Sequence, residues 1–176
     1  DARLRPVGDG EESTPMTADL VMLTITRVES LHLADLVGQF AELLADTDAA
    51  TDPAVARLVP DAYPDDEEAG REFRRATEHE LLNRRASDAQ RMLAGLAEAG
   101  ALEPAADARV DDVIDVALDP EAARAWMRTL AAIRLVIASR LGIRTEDDHD
   151  EDDPRFGVYD WLGFRLEGLI QAVDGA

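Results

Sequence analysis

With 176 residues, 46% of them hydrophobic, the chain can bury the core of a single domain and is not disordered throughout. Its 18 basic residues are all arginine and face 38 Asp and Glu, a net charge of −20 that repels nucleic acid and anionic lipid unless the arginines gather locally. The absence of cysteine removes disulfide frameworks, thiolate metal centres, iron–sulfur clusters and cysteine nucleophiles together.

The first segment carries ARLRPV at residues 2–7, a polar Gly/Pro/Ser-rich stretch, and then LVMLTIT at 20–26 with β-branched residues interleaved, which predicts a hairpin of two short strands. From Arg27 the period lengthens: Val28, Leu33, Leu36, Val37, Phe40, Leu43 and Leu44 recur at steps of three and four, so a helix should run to about Ala45. Residues 53–59 offer one or two helical turns. The acidic cluster Asp65, Asp66, Glu67 and Glu68 suits the positive end of a helix dipole, and a helix should start there. Thr77 with Glu80 fits a capping box, so either the helix is redirected at Thr77 or one long helix continues to about Ala99.

Val113 to Leu118 reads as a strand, and Asp119 with Pro120 as the N-cap and first turn of a helix that should stop at Gly142. Its face is traced by Ala123, Trp126, Leu130, Ile133, Ile137 and Leu141. Residues 146–153 are acidic at seven of eight positions, which predicts a solvated, mobile loop over 145–154. A last helix carries Tyr159, Leu162, Leu166, Leu169, Ile170 and Val173. The expected architecture is one α+β domain over 1–176, a small antiparallel sheet of about three strands packed on a bundle of four to five helices.

Few residue patterns in the chain point to chemistry. The run EDDHDEDD lacks the spacing of a calcium loop, and no histidine has a second one three or four residues away, so no metal site is expected. Nucleophile-elbow, phosphate-loop and dinucleotide-binding fingerprints are all missing. No catalytic residue and no cofactor is assigned. No run of about 18 apolar residues could span a bilayer, and the N-terminus has no basic-then-apolar signal, so a cytoplasmic protein without membrane contact is expected.

Positive charge gathers in one place, at Arg71, Arg74, Arg75, Arg84, Arg85 and Arg91. Such a helix could bind an acidic protein surface or, less readily, DNA phosphates. The competing reading is pairing along the helix itself: Glu67 with Arg71, Glu80 with Arg84, Asp88 with Arg91. Tyr159 and Trp161 cannot share one side of a helix, which makes Trp161 a further contact candidate. Arg71, Arg74, Arg75, Arg84, Arg85 and Trp161 are therefore the expected partner-binding residues, and an exposed apolar strip could also support a homodimer.

The segments VPDAYPDDEEAGREFRRATEHEL, LDPEAARAWMRTLAAIRLVIASRLG and VYDWLGFRLEGLI together resemble the actinobacterial oxidative-stress transcriptional regulators of the AosR type. The resemblance spans nearly the whole chain. It implies a non-enzymatic cytosolic regulator that senses oxidation through a C-x-x-x-C pair and acts on transcription with an alternative sigma factor. No cysteine exists here to carry the sensing half, so only the partner-binding half transfers. The alternatives are direct DNA binding through the Arg71 to Arg91 helix and, further off, a metal-dependent hydrolase.

Overall fold

In the computed structural model, residues 20–46, 49–59, 63, 65–100, 109–150 and 152–175 are described. Among them the order is β1 (Val21–Thr26), α1 (Arg27–Asp46), α2 (Pro53–Ala56), α3 (Glu67–Glu98), β2 (Val113–Leu118), α4 (Pro120–Leu141) and α5 (Gly157–Asp174). The chain is helix-rich α+β. Two strands are present where about three were expected; the remaining one, at 2–7, lies outside the described residues.

β1 and β2 pair antiparallel, Val21 opposite Leu118 and Thr26 opposite Val113. Alternation puts Val21, Ile25, Ile114, Val116 and Leu118 on the buried face, which lies against the helices. β1 runs straight into α1. The turn holds because Thr26 and Glu29 form a capping box: the Thr26 backbone N–H donates to Glu29 Oε2 at 2.9 Å, and the Glu29 N–H donates to Thr26 Oγ1 at 3.3 Å.

α3 is one helix of 32 residues, about 48 Å long at a rise of ~1.5 Å per residue. Asp66 caps it by accepting from the Glu68 and Ala69 N–H groups. Of the two readings open at Thr77, one long helix is what forms: the Thr77 hydroxyl donates to the Phe73 carbonyl at 2.9 Å, inside the continuous helix. From Leu82 onward α3 buries Leu82, Ala89, Met92 and Leu96; ahead of Leu82 it buries Gly70 alone.

α4 is capped as its sequence predicts, with Asp119 accepting from the Ala122 N–H at 2.7 Å and Gly142 in the left-handed region at φ 78°. Trp126 of α4 is fully buried at the centre, packed against Gly95 of α3, where a Cβ would make an ordinary contact with the indole at 3.5 Å. Between α4 and α5 the acidic carboxylates serve as local caps. Asp148 accepts from the backbone N–H groups of Arg144 and Thr145, which holds its carboxyl below the ordinary value, and Asp153 accepts from the guanidinium and N–H of Arg155 with the same effect.

Candidate functional site

α1 and α5 meet at Glu29. While Oε2 serves the capping box, Oε1 accepts from the Trp161 indole N–H at 3.2 Å and from the Arg165 guanidinium. Burial would push this carboxyl up, but the hydrogen bonds from Arg165, the Thr26 N–H, Trp161 and the Thr26 hydroxyl outweigh it and leave a pKa of about 2. Trp161 is thereby fixed, half-buried, with one side of its ring on the core.

The other side of the ring forms a wall of a groove of about 410 Å³ between the two helices, lined also by Leu36, Val158, Gly157, His32 and Asp35. Gly157, Trp161, Phe164 and Gly168 recur at steps of four, three and four, on a stripe about a third of a turn from the core contacts Leu162 and Leu169. Phe164 on this stripe is 69% exposed, the most exposed of the large hydrophobic residues described. An aromatic so placed leaves most of its apolar surface in water in the isolated chain, and such surface is what a protein contact would cover.

The arginines of α3 divide between two faces. At about 100° per residue, Arg71, Arg74, Arg75 and Arg85 fall within roughly a third of the circumference, with Arg84 and Arg91 about half a turn away. Arg84 pairs with Glu80 at 2.7 Å, as the spacing predicted. Arg71 does not reach the Glu67 carboxylate; its Nε donates to the Glu67 carbonyl at 3.1 Å. Asp88 takes Arg128 of α4 through two bonds of 2.7 and 2.8 Å instead of Arg91, and Arg91 pairs with Glu121 of α4 at 2.6 Å.

Arg85 turns inward, donating to the Leu58 carbonyl at 3.0 Å, and burial lowers its pKa. Arg75 lines a cavity of about 590 Å³ at the end of α1, beside Asp46, Glu78 and His79. Arg74 is half-buried. The six arginines are thus split among helix-internal, inter-helix and cavity-lining positions, and the structure keeps Trp161 away from them, on the α1–α5 side.

Sequence reasoning missed the Thr26–Glu29 box, although its T-x-x-E spacing was present at 26–29, and with it the role of Arg165. It also missed Arg57, Arg134 and Arg144, which three separate segments bring to one cavity and no local spacing connects. Among the described residues, no group of three or more His, Asp or Glu is placed to hold a metal ion, and no helix is long and apolar enough to cross a membrane.

Compared with known proteins, residues 10–173 match the model of one family, described as Domain of unknown function (DUF2017). No curated protein and no solved structure matches the chain.

Proposed function

The chain belongs to the DUF2017 family, and from that premise we propose that it is a non-enzymatic cytoplasmic regulator that works by protein–protein contact, with an alternative sigma factor as its partner. The sigma factor comes from the resemblance to oxidative-stress regulators quoted above. The contact is assigned to the outer stripe of α5 and the adjoining groove, with Trp161 as the anchored aromatic and Phe164 as the exposed one.

The observation that carries this reading is the exposure of Phe164 about one turn along α5 from Trp161, which with Leu36 and Val158 walls the groove. Aromatic anchors in apolar clefts dominate interface energies. Direct DNA binding through α3 has less support, because Arg84 and Arg91 are neutralised by carboxylates and Arg85 faces inward.

The test is titration of the full chain against each purified alternative sigma factor of the same cell, with Phe164→Glu and a double Arg74→Glu, Arg75→Glu variant alongside. Phe164→Glu should weaken binding by at least about tenfold, the effect of a hot-spot loss above ~1.4 kcal/mol, with unchanged thermal stability. A loss only in the double variant would move the contact to α3. Absence of binding to every sigma factor would remove the reading.

A further inference from the structure

A third cavity, of about 720 Å³, opens between α4, the start of α5 and the segments that follow α2 and α4. In a chain of −20 it is lined by three arginines, Arg57, Arg134 and Arg144. Among the described residues seven other arginines make ion pairs, whereas these three make none. Two carboxylates beside them, Asp160 and Asp148, keep their charge but bond to other groups. Asp160, also in the lining, meets His149 Nε2 at 2.7 Å, and Asp148, which feels the Arg144 charge, accepts from backbone N–H groups.

The position of Arg134 is built into the fold. Its guanidinium lies 3.9 Å from the Tyr159 ring centroid, and its Nε donates to the Tyr159 carbonyl at 3.3 Å. Gly163 of α5 makes room for it, since a Cβ there would fall 3.1 to 3.2 Å from the guanidinium. A glycine inside a helix is disfavoured, so its presence against this side chain has a steric explanation. Leu135, Leu166 and Ile143 supply apolar lining.

We propose that this cavity binds a small phosphorylated molecule carrying at least two negative charges and a compact apolar part. Guanidinium groups are the side chains best matched to phosphate oxygens, and each carries five N–H donors. Arg134 spends Nε on Tyr159, and Arg57 spends one bond, at 3.4 Å, on the Ile143 carbonyl. The donors left over exceed what one carboxylate accepts. Solution ions screen charge beyond about 8–10 Å, so a ligand in the cavity responds to these three cations and the neighbouring carboxylates Asp148 and Asp160 rather than to the whole net −20. The size lies within the roughly 300–1,000 Å³ typical of small-molecule sites. The proposal is independent of the α1–α5 docking reading, because the variants below leave Phe164 and Trp161 untouched.

The experiment is calorimetric titration of the full chain with inorganic pyrophosphate at constant ionic strength, with succinate as a dicarboxylate of similar charge. Pyrophosphate should bind saturably. Arg57→Gln and Arg144→Gln, both at exposed side chains, should each weaken it at least about tenfold, the worth of one charged hydrogen bond. Gly163→Ala should weaken it by displacing Arg134, and Arg84→Gln, the same charge change on α3, should leave affinity within about twofold. Ligand-free melting curves confirm folding, and if Gly163→Ala does not fold the two exposed variants still decide. Absence of saturable binding, wild-type affinity in both Arg57→Gln and Arg144→Gln, an equal loss in Arg84→Gln, or succinate binding as tightly as pyrophosphate overturns the assignment.

Discussion

The α1–α5 joint and the outer face of α3 are built from the same two side-chain types under opposite conditions. In the joint, the Arg165 and Glu29 side chains are 18% and 20% exposed; on α3, those of Arg84 and Glu80 are 66% and 74% exposed. Two charges 4 Å apart attract by about 1 kcal/mol in bulk water and about 4 kcal/mol at the effective dielectric of a protein surface. The joint adds neutral donors, Thr26 and Trp161, that satisfy the carboxylate's remaining lone pairs. Burial and shared donors, more than the number of pairs, decide which arginines hold this fold together.

The largest expected effect is at Glu29. Glu29→Gln leaves Arg165 short of its counter-charge and breaks the link from the β1–α1 turn to α5, so unfolding in urea at pH 7 should show a loss of about 3 kcal/mol. A change below 0.5 kcal/mol would place the joint with the surface pairs and abolish the contrast.

Acid sharpens the same point. The folded-state pKa of about 2 lies below the ordinary 4.5, so the unfolded chain binds the proton first. The stabilisation is complete above about pH 4.5 and disappears as pH falls towards 2. With allowance for solvent screening at the rim it amounts to about 2 kcal/mol. The gap between wild type and Glu29→Gln should accordingly narrow across that window in denaturation curves, and a gap that stays constant would mean the carboxylate is not the titrating group.

Asp88 lies between the two extremes, its side chain 13% exposed and its partner Arg128 51% exposed. The bidentate geometry joins α3 to α4 and raises the Arg128 pKa, chiefly through the hydrogen bond to Asp88. Asp88→Asn should cost about 1 kcal/mol, read from the urea midpoint.

These gradations explain what the sequence could and could not reveal. Periodicity located the long helices, and Asp119, Pro120 and Gly142 marked the ends of α4, because those signals act within a few residues. T-x-x-E occurs at both 26–29 and 77–80, and only the first follows a strand, where Thr26 is free to face the orphan N–H groups of a new helix. At Thr77 the backbone is already helical and the hydroxyl bonds back to Phe73. The partners of Arg85, Arg91 and Arg128 are 27, 30 and 40 residues away in the chain, which no helix-spacing rule can reach. The cavity of Arg57, Arg134 and Arg144 belongs to the same class.

The smallest expected effect is at Arg84, and it is the strictest check on the contrast. Its pair with Glu80 has the favourable order, acid four residues ahead of base, and a short contact of 2.7 Å. By contact length alone it rivals Asp88–Arg128. Both partners are largely in water, so holding two long side chains in register costs nearly what the attraction returns, and salt screens the remainder. Arg84→Gln should change stability by about 0.3 kcal/mol at low ionic strength and by nothing measurable in about 1 M sodium chloride. A loss above about 1 kcal/mol that survives salt would show distance, and not exposure, to be the governing variable, and the ranking Glu29, Asp88, Arg84 would have to be redrawn on contact length.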